Sequence, residues 1–160
     1  MNRINLISEE IELSSSSKEW YRNGLGFQCT QCGNCCTGPP GAVWFNDQEA
    51  REMAAELGME VDDFMNTWAR RLRDGWSLKE TLTSHGWDCV FLDREKVPGK
   101  AVCRLYGSRP KQCRTWPFWP ENLESPQAWE AAKRETPCPG MGQGPLIPIE
   151  DIRISRDDQF

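Results

Sequence analysis

Cys29-Thr-Gln-Cys32-Gly-Asn-Cys35-Cys36 packs four thiols into eight residues, and four more follow singly at Cys89, Cys103, Cys113 and Cys138. Cysteines separated by two residues can turn their sulfurs toward one point, because the intervening turn folds the side chains together. Three in succession make a chelating loop. A chain carrying such a loop must fold around what the loop binds.

The sequence confines this loop to a small soluble frame. Its 160 residues fit one domain, large enough to bury a core but helped by internal staples. The opening MNRINLISEEIEL has one early arginine and then acids, with no apolar run of export-signal length. No stretch approaches the ~20 apolar residues needed to span a bilayer. We therefore expect a cytoplasmic protein without membrane contact, whose thiols stay reduced. In that setting clustered cysteines are metal ligands or redox groups rather than disulfides. The net charge of −5 and the scattered basic residues argue against a nucleic-acid partner. Arg70, Arg71 and Arg73, flanked by Asp62, Asp63 and Asp74, read as a solvated helix face.

Patterning predicts an α+β fold, loop-rich, with short helices and a short hairpin around a cysteine-built metal core. Residues 1–19 read as a flexible N-terminal arm, 20–150 as the cysteine-cluster domain and 151–160 as a polar C-terminal end. Trp20-Tyr21 would anchor the arm. Gly38-Pro39-Pro40-Gly41 ends the cysteine loop, and Ala42–Phe45 is apolar enough for a buried strand. Asn46 with Glu49 forms a capping-box start to a helix whose stripe is Ala50, Met53, Ala54 and Leu57, ended by Gly58. A second helix is predicted over Asp62–Leu72, and a short one around Leu78–Leu82. Cys89–Leu92 and Ala101–Cys103 read as two strands of a hairpin through Pro98-Gly99. Arg109–Thr115 reads as a helical turn stopped by Pro117 and Pro120. Ser125-Pro126 starts a third helix with an N-cap and a proline at N1. The stretch from Pro137 to Pro148 reads as loop.

The spacing leaves the metal open. Structural zinc takes four tetrahedral ligands, usually two pairs from separate elements, and Cys29-x2-Cys32-Gly33 resembles one such knuckle. A cubane iron–sulfur cluster suits three cysteines at this spacing plus a remote one followed by proline, as in Cys29, Cys32, Cys35 and Cys138-Pro139. Cys36 fits neither single-site scheme, since adjacent residues seldom both reach one metal. His85 reads as a polar loop residue. Eight cysteines could close two four-thiolate sites, or one site with spare thiols. Either centre is anionic and favours nearby cations, for which Arg104, Arg109 and Arg114 are placed beside Cys103 and Cys113. Trp87, Trp116 and Trp119 neighbour cysteines and could shield a site. Phosphate loops, nucleophile elbows and a histidine partner for a nucleophile are missing, so no catalytic residue is nominated.

Taken together, Phe27-x-Cys29-x2-Cys32-x2-Cys35-Cys36, Cys89-Val-Phe-Leu92, Cys103-x-Leu-Tyr106, Arg109-Pro110-x2-Cys113-Arg114-x-Trp116-Pro117-Phe118 and Cys138-Pro-Gly140-x-Gly142 resemble the YkgJ-type cysteine-cluster (CxxCxxCC) family. The resemblance covers residues 27–142. Trp116 stands where the family often has tyrosine or phenylalanine. The resemblance implies a zinc- or iron-chelating domain in which all eight cysteines are candidate ligands. The family is commonly labelled iron–sulfur, and a related cluster occurs in a flagellin lysine methylase. The leading expectation is a metal-binding protein holding an iron–sulfur cluster, [4Fe–4S] foremost, with Arg109 and Arg114 beside it and a role in electron transfer or metal and cluster handling. The rivals are a structural Zn2+ module that binds a protein partner, and a thiol redox enzyme or accessory to protein methylation.

Overall fold

The computed structural model describes residues 19–158. The predicted N-terminal arm lies outside them, apart from Glu19. The expectation of mixed, short elements holds: the chain is α+β, built from small two- and three-stranded sheets and short helices.

Side chains gather into two apolar cores. In the first, strand β2 (Trp44–Phe45) leads into helix α1 (Asp47–Glu56), followed by α2 (Val61–Trp68). Asn46 Oδ1 accepts from the Glu49 amide at 2.9 Å, and Glu49 Oε2 accepts from the Asn46 amide at 2.9 Å, which is the expected capping box. Its i, i+3, i+4 stripe places Ala50, Met53 and Ala54 against Phe45, Phe64, Leu78, Phe91 and Leu105. Gly58 takes φ +65°, the left-handed conformation that closes the helix.

Beyond Trp68 the structure corrects the sequence reading. The second helix stops there, and residues 69–89 form strands rather than a continued and then a short third helix. Strands β3 (Ala69–Leu72) and β4 (Gly75–Leu78) pair antiparallel with β2 in the order β2-β4-β3, and β5 (Glu80–Thr83) pairs with β6 (Gly86–Cys89). The physical reason is cross-strand pairing: Ala69–Leu72 lie opposite Gly75–Leu78, and Glu80–Thr83 opposite Gly86–Cys89, contacts that local helical spacing does not report. The arginine group is therefore not a helix face. Arg71 lies over the Trp76 ring at 5.6 Å, and Arg70 pairs with Glu80. Strands β7 (Leu92–Asp93) and β8 (Val102–Cys103) form a hairpin with Leu92 opposite Cys103, but Cys89, expected in that hairpin, belongs to β6 and lies opposite Glu80.

The second core uses the ends of the chain. Tyr21, Phe118, Leu123, Trp129, Met141, Ile149 and Ile152 are buried together. Helix α3 (Lys111–Thr115) and α4 (Pro120–Leu123) lead to α5 (Pro126–Glu135), whose N-cap Ser125 Oγ accepts from the Ala128 amide at 3.0 Å as expected. Two further corrections fall here. The presumed loop before Pro148 is strand β9 (Met141–Ile147), paired with β1 (Leu25–Phe27), and the presumed polar end is helix α6 (Ile149–Asp157). Glycine and proline content hid the strand. The helix was hidden because it buries only Ile149 and Ile152. Trp20 donates from Nε1 to the Leu123 carbonyl at 2.8 Å, and the Tyr21 ring is buried beside it.

Because Ile152 is fully buried, Ile152→Ala should lower unfolding free energy by about 2–5 kcal/mol, read by denaturant titration. A cost below that range would show the C-terminal helix to be an appendage.

Candidate metal centre

The cysteine loop is fixed at both ends before it presents any sulfur. Gln28 donates from its amide to the Gly140 carbonyl at 3.3 Å, and Asn34 Nδ2 donates to the Pro137 carbonyl at 2.5 Å. A β-carbon on Gly140 would stand 2.1 Å from the Gln28 carbonyl oxygen, so only glycine permits this approach. At Gly33 φ is +75° and a β-carbon would meet that of Ala101 at 2.5 Å. That glycine lets the loop turn tightly against the hairpin, where Ala101 donates to the Gln31 carbonyl at 2.9 Å. A single 3-10 turn, Asn34–Cys36, then carries two thiols inward.

Those thiols face a cavity of about 380 Å3 at the seam between the two cores. Cys35 and Cys36 from the loop, Cys89 at the end of β6, Cys103 at the end of β8 and Cys113 on α3 all line it. Leu78, Phe91 and Leu105 of the first core form part of the wall. Trp87, Trp116 and Trp119 complete it, in the shielding position expected of them. Trp116 and Trp119 meet edge to face at 4.9 Å between centroids.

The eight cysteines do not play equal parts. Cys29 reaches the cavity from an exposed position, whereas Cys32 and Cys138 are absent from its lining. Cys138 is buried within the second apolar core. Of the grouping suggested by spacing, Cys29 and Cys35 line the cavity while Cys32 and Cys138 lie outside it. Cys36, which no single-site scheme accommodated, lies with its Sγ 3.7 Å from that of Cys35. A tetrahedral ion bound by thiolates at ~2.3 Å sets sulfurs ~3.8 Å apart, so this adjacent pair can share a metal. Among the described residues, no three cysteine, histidine or carboxylate side chains already surround one point as ligands of a single ion. The thiols ring a space instead.

Electrostatics at the ring are those of buried acids awaiting a cation. Burial pushes the Cys89 thiol up to about 11 from the ordinary 9.0, with Cys103 adding to it. Burial likewise raises Cys103 and Cys113, and neighbouring cysteines raise Cys113 further. Cys35 is the exception, held down at about 7 first by a hydrogen bond from Cys36, with Arg109 assisting. The same contact, together with burial, drives Cys36 upward. A soft metal reverses this balance, because it binds the thiolate and expels the proton.

Of the expected cations, Arg109 alone lines the cavity. Its guanidinium lies 3.9 Å over the Tyr106 ring and donates from Nε to the Tyr106 carbonyl at 3.1 Å. Arg114 is exposed on α3 and lines none of the cavity. Arg104 covers Trp68 and Phe91 and donates to the Val90 carbonyl at 3.0 Å. His85 is exposed in the β5–β6 turn.

Sequence reasoning missed the residues that dock these elements. Gln112 accepts from the Trp44 amide at 2.7 Å and donates to the Ala42 carbonyl at 3.0 Å, fixing α3, and with it Cys113, against β2. Glu49 uses its second oxygen to accept from the Lys111 amide at 2.7 Å. Arg94, paired with Asp88 at 2.9 Å, extends its charge toward Cys36. Only Glu49 carried a signal, through its capping box.

Such a ring of soft donors in a small α+β frame defines a cysteine-cluster metal protein. The chain belongs to the CxxCxxCC family, whose model, described as "Putative zinc- or iron-chelating domain", matches residues 28–139, more than half of the chain. It is a metal-binding protein. An uncharacterized protein of Methanocaldococcus jannaschii is 29% identical over 100 residues, which cover 61% of this chain and 48% of that relative. The chain thus spans about half the length of the curated relative it matches. No solved structure matches it. Among the described residues, no helix is long and apolar enough to cross a membrane.

Metal loading must displace protons from thiols such as Cys89, whose value near 11 keeps it protonated at neutral pH. Apparent metal affinity should therefore rise with pH, by about one decade per pH unit for each thiol proton released. Competition titrations from pH 6 to 8 test this. The metal-free fold has the opposite dependence. A folded-state value raised above the unfolded 9.0 stabilises the protein at lower pH, and that stability is lost as pH climbs through about 11.

Proposed function

We propose that the protein carries an iron–sulfur cluster on the cavity-facing thiols and serves electron transfer, or metal and cluster handling, in the reducing cytoplasm. The observation that carries this reading is the ring itself. Six of the eight cysteines, drawn from the loop, β6, β8 and α3, line one cavity of about 380 Å3. A closed tetrahedral zinc site uses four ligands around a single ion and leaves no such space. A polynuclear cluster places metals and its own sulfides between the thiolates, and thereby suits donors spaced around a volume.

The protein residues would divide the work. Cys35, Cys36, Cys89, Cys103 and Cys113 supply the ligand pool, more than one cluster needs, and Cys29 stands at the rim. Arg109 offsets the anionic charge of the thiolates from its fixed place on Tyr106. The three tryptophans limit water and oxygen. When bound, the cluster would supply one-electron chemistry, and its redox partner would be another protein.

Anaerobic purification followed by iron, labile sulfide and zinc analysis and an absorption spectrum tests the reading. We expect iron and sulfide in comparable amounts and a brown protein. Colourless protein with stoichiometric zinc and no sulfide would overturn it and favour the structural zinc module. Cys89→Ser and Cys113→Ser should each reduce bound metal several-fold, whereas Cys138→Ser should leave the stoichiometry unchanged.

A further inference from the structure

Between the cysteine loop and β2 the chain crosses the outside of the cavity as Thr37-Gly38-Pro39-Pro40-Gly41-Ala42. Thr37, Pro39, Gly41 and Ala42 line the cavity from within, while Pro39 is also exposed to solvent. The segment is therefore a thin wall between solvent and the thiols. Its middle is two prolines, which lack amide hydrogens and hold φ near one value, so it is stiff but makes no ladder bonds of its own. Whatever holds it must act at its ends.

Two anchors do so. At one end Gly38 accepts from the Trp87 amide at 2.8 Å, and a β-carbon on Gly86 would approach its carbonyl oxygen to 2.7 Å. At the other end both backbone groups of Gly41 are held by one ion pair. Its amide donates to Glu80 at 3.2 and 3.3 Å, and its carbonyl accepts from Arg70 Nη2 at 2.5 Å. Arg70 Nη2 also donates to Glu80 Oε2 at 2.5 Å. The Glu80 side chain is 8% exposed, whereas Arg70 is 32% exposed and Gly41 lies at the surface, so the carboxylate is the part of the clamp withdrawn from water. A charged acceptor in that setting is worth more than a surface pair. Neither residue is a thiol neighbour by sequence motif.

We infer that Arg70 and Glu80 are positioning residues that clamp the 37–42 strap shut over the thiol cavity, and so govern how fast metal leaves or ligands enter. Arg70 acts through Gly41, while Glu80 also lines the cavity opposite Cys89, so exchange at Trp87 rather than metal release alone reports its hold on the strap. The strap moves as one stiff piece. Release of its Gly41 end therefore loosens the Gly38 end as well, and exposes Cys36 and Cys89 behind it. The inference uses the metal-binding reading for its consequence, but the strap's closure stands on the hydrogen bonds alone.

Two measurements on the full-length protein as isolated decide it. The first is amide hydrogen exchange at Trp87, which stands opposite Leu82 in the strand paired with that of Glu80 but whose amide is bonded to the far anchor at Gly38. The second is the rate at which a chelator captures the bound metal. Glu80→Gln keeps an acceptor for Gly41 but loses the charge that holds Arg70, and Glu80→Ala loses both. Exchange at Trp87 and chelator capture should each rise in the order wild type, Gln, Ala, by roughly tenfold at the last step, from loss of charge-assisted bonds. Arg153→Gln, which breaks an ion pair to Glu19 outside the cavity lining, should leave both unchanged. Trp87 exchange at the wild-type rate in Glu80→Ala would overturn the strap, whatever the metal. Faster exchange with unchanged chelator capture would also overturn it, since the strap would not gate the centre. If the isolated protein held no metal, the metal reading would fail while Trp87 exchange still decided the closure.

Discussion

Gathering thiols from four segments around one cavity is the constraint from which the remaining arrangement follows. Partial burial disfavours the anions of Cys36, Cys89, Cys103 and Cys113, and crowding of like groups compounds the effect, as at Cys113. An apolar core could have been built more simply without them. Their cost is offset only when a cation binds and turns repulsion among thiolates into coordination. The fold accordingly places these residues at the junction of its two cores, where each core contributes wall without either being opened.

That junction explains how distant segments are tied. The cysteine loop is pinned to Pro137 and Gly140 on one side and to Ala101 on the other. Helix α3 is pinned to β2 by Gln112 and to α1 by Glu49. Through these polar contacts Cys35 and Cys36 are set against Cys113, Cys89 and Cys103 without any of the thiols having to form a protein–protein bond. The apolar cores supply most of the folding free energy, while a handful of directional hydrogen bonds set the ring's dimensions.

Local signals in the chain were readable because their physics is local. The Asn46–Glu49 capping box, the Ser125-Pro126 start and the turn at Gly58 each depend on residues within one helical turn. Residues 69–89 misled because their structure is decided by pairing between strands, β3 with β4 and β5 with β6, which no local periodicity records. The strand at 141–147 carries glycines where β1 passes closely, a tertiary demand that looks like loop composition. Within the site, spacing marked the loop as a chelator, and the fold sets Cys35 and Cys36 of that loop on one cavity with Cys89, Cys103 and Cys113. Gly140, just after Cys138-Pro139, serves the close approach to Gln28. Arg114, next to Cys113 in sequence, points elsewhere because α3 turns it to solvent, whereas Arg94 was unmarked by any motif.

The placement of the two adjacent cysteines then bears on how folding and metal binding depend on each other. In an extended strand neighbouring side chains point to opposite faces, but the 3-10 turn beginning at Gly33 brings Cys35 and Cys36 to 3.7 Å. The turn needs Gly33 at positive φ, and only a residue without a β-carbon leaves room there for Ala101. Ala101 stands there because the β7–β8 hairpin has formed, and that same hairpin delivers Cys103. The ligand pair from the loop is thus completed by the element that brings its partner thiol. A metal bound at this ring would stabilise the hairpin, the loop and α3 at once, which makes its affinity a term in the stability of the whole chain rather than of one site.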